Sequence, residues 1–238
     1  MSAASVTPAS DRLIVALDVA DIDTARKLVL HLDDSVHFYK IGLELATTRG
    51  YFELLDWLLE RGKQVFADLK LYDIPATVGA AVRQISNSGA SFLTVHGERS
   101  VVEAAAEYKG SKLKILAVTV LTSMNRDDLR ASGITMDVET LTLERAVLAV
   151  ESGADGVIAS GLEAAALREE LGPDRLIVTP GIRPAGSGNT DDQKRVVTAE
   201  DSFRGGADYI VVGRPVREAP DPRAAADAFQ REIAAALS

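Results

Sequence analysis

The apolar residues of the chain fall into two alternating kinds of run. Short, β-branched stretches recur at Leu13–Leu17, Phe38–Ile41, Val65–Leu69, Phe92–Val95, Ile115–Leu121, Gly156–Ala159, Leu176–Thr179 and Tyr209–Val212. They are about four to seven residues long and apolar on both faces, as parallel strands are when helices cover the sheet. Between most of them the apolar positions take up the helical period. Ala25, Leu28, Val29 and Leu32 predict one helix, Phe52, Leu55, Leu58 and Leu59 a second, and Val78, Val82 and Ile85 a third. Leu143, Val147 and Val150 predict another, and Phe229, Ile233 and Leu237 a last one.

A joint repeats as well. Ser88-Gly89-Ala90-Ser91, Ser152-Gly153-Ala154-Asp155 and Gly205-Gly206-Ala207-Asp208 each stand where a helix closes and a strand opens; Arg61-Gly62-Lys63 is a looser copy. Glycine suits the left-handed position just past a helix end. About eight strands alternating with about as many helices predict an α/β chain folded as a (β/α)8 TIM barrel. A doubly wound open sheet is the alternative. It usually carries a Gly-rich phosphate turn after its first strand, whereas here that turn reads Asp18-Val19-Ala20-Asp21. No linker divides the chain, so residues 11–238 are expected to form one barrel domain, with residues 1–10 as a loose tail. The turn-rich stretch from Pro180 to Asn189 lies between two strands and reads as a functional loop.

Composition narrows the chemistry. Lys and Arg number 26 against 35 Asp and Glu, a net charge of −9. That argues against nucleic-acid or anionic-membrane partners, which need a broad basic face. The absence of cysteine excludes disulfides, thiolate nucleophiles and Cys-based metal sites. His31 and His37 are not spaced as metal ligands. The first ten residues carry no Lys, Arg or apolar run, unlike a signal peptide, and no window is apolar for about 18 residues. The cytoplasm is the expected location.

In a barrel the active site is built at the C-terminal ends of the strands. The first strand ends in Asp18, and the second contains Lys40. The third holds Asp68 and Lys70, with Asp73 just beyond. The fourth ends in His96 and the fifth in Thr122 and Ser123, while the seventh leads to Arg183 and the eighth to Gly213 and Arg214. Residues two apart on a strand share a side, so Asp68 and Lys70 are expected to face the barrel and Leu69 the helices. This pair reads either as a salt bridge tying the interior together or as rim chemistry. Asp18 could instead cap the first helix, with Asp21 and Asp23 competing for that place. His96 is expected to have a hydrogen-bonded structural role. Thr122 and Ser123 could simply begin a turn before Met124-Asn125.

Phosphate sites in such barrels use the loops after strands seven and eight. Those loops carry Arg183, Gln193, Lys194 and Arg195, then Gly213-Arg214-Pro215. Glycine lets backbone N–H groups approach phosphate oxygens, and arginine supplies a charged fork. Lys194 and Arg195 also read as an exposed helix face. The loop from Ile182 to Gln193, with Gly186 and Gly188, suits a mobile lid.

Several of these strings together resemble a known family. Asp68-Leu69-Lys70-Leu71-Tyr72-Asp73-Ile74-Pro75-Ala76-Thr77-Val78 resembles the signature of the orotidine 5′-phosphate decarboxylases, as do Ala16-Leu17-Asp18 and Tyr39-Lys40-Ile41-Gly42. Val118 to Met124 is similar to the family's fifth strand. Thr179-Pro180-Gly181-Ile182-Arg183-Pro184, Asp192-Gln193-Lys194-Arg195 and Val212-Gly213-Arg214-Pro215 follow in order. Tyr72 stands where His is common, and Ala76 where Asn is common. The resemblance implies conversion of orotidine 5′-monophosphate to uridine 5′-monophosphate and carbon dioxide, with no metal and no organic cofactor. It implies Lys70 as proton donor to C6, with Asp68, Lys40 and Asp73 completing the catalytic set. Asp18, Lys40, Asp68, Thr77, Thr122, Ser123, Arg183, Gln193, Gly213 and Arg214 are implied as substrate contacts. It also implies a homodimer in which Asp73 enters the partner's site. The rival reading is a magnesium-dependent relative acting on 3-keto-L-gulonate 6-phosphate, or its hexulose-phosphate synthase cousin. Those relatives carry an acidic metal ligand on the second strand, where this chain has Lys40. A phosphate-binding barrel without activity is the other.

Overall fold

Each short apolar run becomes a strand of one closed parallel barrel in the computed structural model, which describes residues 7–184 and 195–238. The strands are β1 (Leu13–Ala16), β2 (Phe38–Gly42), β3 (Gln64–Leu71), β4 (Phe92–His96), β5 (Lys114–Val118), β6 (Gly156–Ile158), β7 (Leu176–Thr179) and β8 (Tyr209–Val212). They pair in sequence order, and β8 closes against β1 with Ile14 opposite Val211. The open-sheet alternative is thereby excluded. The connecting helices are α1 (Ile22–Leu32), α2 (Leu43–Ala46), α3 (Tyr51–Glu60), α4 (Pro75–Asn87), α5 (Arg99–Tyr108), α6 (Arg126–Ala131), α7 (Val138–Glu151), α8 (Ala164–Leu171), α9 (Ala199–Arg204), α10 (Arg214–Arg217) and α11 (Pro222–Ala236).

Three expected details change. β5 stops at Val118, and Thr119 to Leu121 leave the ladder as an exit segment. On α7 the buried face is Leu141, Thr142, Ala146 and Ala149, while Leu143, Val147 and Val150 are half-buried. That face lies one residue, roughly 100°, from the predicted stripe. The small Ala146 and Ala149 let the helix lie close to the strands, and the larger aliphatics flank the contact. Phe52 and Leu237 are exposed at 49% and 43%. Tyr51 and Leu54 take the core face of α3, and Leu237 lies past the end of α11.

The repeated joints share a geometry. Gly62, Gly89, Gly153 and Gly206 all have positive φ, from 67° to 103°. This is the left-handed conformation that ends a helix without steric cost in glycine. Two joints add a carboxylate clamp on the neighbouring strand. Asp155 accepts from Ile115 N at 2.8 Å and pairs with Lys109 at 2.6 Å. Asp208 accepts from Ile177 N at 2.8 Å and pairs with Arg168 at 2.6 Å. Paired charges and satisfied backbone donors close the N-terminal end of the barrel.

The barrel interior is layered. Phe38, Phe66, Phe92 and Tyr209 form an aromatic plug, with ring centroids 4.9 to 5.9 Å apart. Residues two further along the same strands point the same way. Those are Lys40 on β2, Asp68 on β3 and Thr94 on β4. An apolar floor therefore carries a polar storey directly above it. Below the floor, the first described residues form a 3-10 turn, Ala9–Asp11. Residues 1–6, part of the expected tail, lie outside the described residues.

Candidate active site

The polar storey opens into a cleft of about 290 Å³ at the C-terminal ends of the strands. Its floor is a ladder of alternating charge. Lys40 Nζ donates to Asp18 Oδ1 at 2.9 Å and lies 3.3 Å from Asp68 Oδ2. Lys70 Nζ donates to both oxygens of Asp68 at 2.8 Å. Asp68 and Lys40 are only 8% and 9% exposed. Unpaired charges at that depth would be strongly disfavoured; alternating them makes the storey electrically neutral. Burial pushes the Asp68 carboxyl up, but Lys40, Lys70 and the Thr94 hydroxyl overcome it and hold Asp68 below its ordinary value. Burial likewise works against the Lys40 ammonium. Asp68 and Asp18 overcome it and raise Lys40 above its ordinary value.

Local backbone geometry produces the ladder. Lys70 has φ of +47°, and the register of β3 against β4 shifts between Ala67 and Leu71. The left-handed turn at Lys70 folds its ammonium back over Asp68, more than simple alternation along a flat strand would give. Leu69 packs against the helix-side core as expected. Gly42, two residues after Lys40, leaves room for the ladder. A Cβ there would sit 3.1 Å from Lys40 Nζ and 3.3 Å from Asp18 Oδ1. Asp18 does not cap α1: Asp21 does, accepting from Thr24 N at 2.7 Å.

Thr94 was not among the expected site residues. Fully buried, it donates to Asp68 Oδ1 at 2.8 Å and accepts from Lys70 N at 2.9 Å, so it fixes the bulge and the carboxylate together. The signal was present: Thr94 alternates with inward-facing Phe92. The side chain of His96, two residues further, makes no hydrogen bond among the described residues. It meets the Tyr72 ring at 5.0 Å instead, because the end of β4 rises above the ladder beside the β3 exit.

Two expected contacts lie outside this chain's own cleft. Asp73 and Thr77 are exposed, and neither lines it. The bulge turns the chain outward after Leu71; Asp73 accepts from Ile74 N at 2.6 Å, and Pro75 starts α4. Within the chain, the second anion beside Lys40 is Asp18.

The remaining walls match the expectation more closely. Thr122 and Ser123 line one side, as the central residues of a turn in which Met124 N donates to Leu121 O at 2.9 Å. The two residues thus lie in the expected turn and also line the cleft. Arg183, Gly213 and Arg214 line the far side, joined by Arg217 one turn after Arg214. Gln193 and Lys194 lie outside the described residues, as does most of the expected lid, 185–194. Arg195 is not on an exposed helix face. It is 9% exposed and paired with Glu163, which local sequence could not reveal because the partner is 32 residues away. Among the described residues no group of three or more His, Cys, Asp or Glu could hold a metal ion, and no helix is long and apolar enough to cross a membrane.

Known proteins resemble this chain in sequence and fold. A family model described as the orotidine 5′-phosphate decarboxylase / HUMPS family matches residues 11–229. An orotidine 5′-phosphate decarboxylase of Methylococcus capsulatus is 54% identical over 226 residues, 95% of this chain and 93% of that protein. One of Xanthomonas euvesicatoria is 52% identical, covering 96% of this chain and 94% of its own length. Among solved structures, the orotidine 5′-phosphate decarboxylase of Lactobacillus acidophilus superposes with a TM-score of 0.83 at 36% identity, covering 94% of this chain and 99% of its own. That of Pyrococcus horikoshii gives 0.74 at 30% identity, over 93% and 99%. With a model spanning the whole barrel and full-length relatives above half identity, the chain belongs to the orotidine 5′-phosphate decarboxylase / HUMPS family.

Proposed function

We propose that this chain converts orotidine 5′-monophosphate to uridine 5′-monophosphate and carbon dioxide, the last step of de novo pyrimidine synthesis. The observation that carries the reading is the Asp18–Lys40–Asp68–Lys70 ladder, set opposite Arg183, Gly213 and Arg214 in one cleft. The bond between C6 and the carboxylate breaks, and its electron pair stays on C6. Catalysis must then come from groups that interact more strongly with this carbanion-like centre than with the substrate. The Lys70 ammonium supplies that charge and donates a proton to C6; solvent reprotonates the amine. Asp68 keeps Lys70 in place and lies beside the departing carboxylate. Asp18 and Lys40 serve the ribose hydroxyls, and Thr122 and Ser123 the pyrimidine edge. Arg183, Gly213 and Arg214 hold the phosphate, with Gln193 assigned to the same end. Binding energy from the phosphate is then used at the distant C6.

The second part of the proposal is a homodimer in which Asp73 and Thr77 reach the partner's cleft. Both are exposed at the barrel mouth. Tyr72 and Ile74 beside them are 63% and 67% exposed, and such apolar side chains favour burial against a second copy. Mixing Asp73→Asn and Lys70→Ala homodimers tests it. One site of each heterodimer carries both changes and the other carries neither. With random re-association and independent sites, about a quarter of wild-type activity should return. No recovery after demonstrated subunit exchange would refute the shared site.

The magnesium-dependent reading of the family is disfavoured by Lys40. Its ammonium sits between Asp18 and Asp68, where a divalent cation would be repelled. The test is incubation with orotidine 5′-monophosphate, with and without a chelator, following loss of substrate absorbance. Turnover unaffected by chelation supports the proposal. No turnover of orotidine 5′-monophosphate under either condition refutes the proposal; magnesium-dependent turnover of 3-keto-L-gulonate 6-phosphate then favours the rival, and no turnover of either substrate favours the inactive barrel.

A further inference from the structure

Beyond Val118, β5 ends, and the next three peptide carbonyls, of Thr119, Val120 and Leu121, accept from arginine side chains. Two guanidinium groups donate to them, one half-buried (Arg145) and one buried (Arg195). Arg145 Nη1 on α7 donates to Thr119 O at 2.8 Å. Arg195 Nη2 donates to Val120 O at 3.1 Å and to Leu121 O at 3.3 Å. The other arm of Arg195 is paired with Glu163, just before α8 and 5% exposed. The backbone around Arg195 is itself fixed. Ser160 Oγ donates to Arg195 O at 3.4 Å, and Arg183 N donates to Val197 O at 3.0 Å. One side chain thus joins the exits of β5, β6 and β7, and the residues it holds lead directly into Thr122 and Ser123.

The fold alone does not call for this pair. Among the described residues, Glu163 Oε2 and Arg195 Nε are buried without a hydrogen-bond partner. A buried ion pair that is incompletely satisfied contributes little net stability, and apolar replacements of similar volume are often neutral. Its specific product is the position of the carbonyls at Val120 and Leu121.

We propose that Arg195, oriented by Glu163, is a positioning residue for the pyrimidine end of the cleft. It fixes the β5 exit so that Thr122 and Ser123 meet the base at the right distance. It touches no substrate atom itself. The inference rests on the reading of the cleft as a pyrimidine nucleotide site.

The test uses the full chain and a double variant, Arg195→Met with Glu163→Leu, which removes both charges together. Arg195→Met alone leaves a buried unpaired carboxylate and is expected to lower the melting temperature. The double variant should regain most of that loss. Uridine 5′-monophosphate should nevertheless bind it roughly tenfold or more weakly, the scale of losing hydrogen bonds from a charged donor. Ribose 5-phosphate, which lacks the base, should bind it within about twofold of wild type. Equal weakening of both ligands, or recovery of nucleotide affinity together with the melting temperature, would overturn the assignment. If the wild-type chain itself fails to bind uridine 5′-monophosphate, the functional reading falls and this assignment falls with it.

Discussion

Replacing Lys70 by alanine and by glycine should give two dead enzymes of different stability, with glycine the more stable. Lys70 has φ of +47°. A residue with a Cβ pays about 1–2 kcal/mol for that left-handed conformation. Both variants lose the same contacts to Asp68 at 2.8 Å, so their difference isolates the backbone. Alanine keeps the strain and glycine relieves it. Glycine's extra freedom in the unfolded chain takes back about 0.4–1 kcal/mol. The net advantage of glycine is about 0.5–1 kcal/mol. At about 2–4 °C per kcal/mol for a chain of this size, that is about 1–4 °C in Tm. In ordinary strands and helices the order is reversed, with glycine worse than alanine by about 0.5–1 kcal/mol. Parallel thermal melts at one pH, together with turnover of orotidine 5′-monophosphate, decide the matter. An alanine variant as stable as the glycine variant, or more so, would refute the claim that strain is stored at Lys70. More than a tenth of wild-type kcat in either variant would refute Lys70 as the essential acid.

Other consequences of the ladder and the cleft are open to direct measurement. Asp68 has a lowered pKa when folded, so its contribution is present above its unfolded value near about 4 and is lost as pH falls through the lower folded value. The stability gap between wild type and Asp68→Asn, read from urea midpoints, should therefore narrow on acidification from about pH 5; a constant or widening gap would contradict it. Lys40 is raised, so the opposite holds: the gap to Lys40→Met should narrow as pH climbs past about 10. Arg214→Ala should reduce kcat/KM by roughly tenfold or more, since charge-assisted bonds contribute about 1.5–3 kcal/mol each. The loss should be much smaller for a substrate without the phosphate, and equal losses would place Arg214 elsewhere. Exhaustive chelation should leave the rate unchanged, because an ammonium already sits between Asp18 and Asp68.

What the sequence could and could not reveal follows from the range of the interactions. Period-2 alternation along β3 and the strand-end positions were enough to group Lys40, Asp68 and Lys70, because strand faces and barrel polarity are local rules; that Asp18 rather than Asp73 is the second anion beside Lys40 within the chain was not legible. The left-handed backbone at Lys70 was not legible. No glycine marks it, and it is held by Thr94 from the next strand. Arg195 beside Lys194 looks like a solvated pair of charges until Glu163, remote in sequence, is folded against it. On α7 both candidate stripes are apolar, so only the fit of Ala146 and Ala149 against the barrel decides which faces inward. Asp73 and Thr77 matched the family strings yet stand exposed, because a bulge redirects the chain after Leu71.

The most direct measurement of the central claim is a reaction in deuterium oxide, with the product examined by proton NMR. The wild-type chain should convert orotidine 5′-monophosphate to uridine 5′-monophosphate carrying deuterium at C6, with one carbon dioxide released per product. Lys70→Ala, folded by its thermal melt, should leave the substrate nearly intact under the same conditions. Absence of product from the wild-type chain, or comparable turnover by Lys70→Ala, would contradict the account.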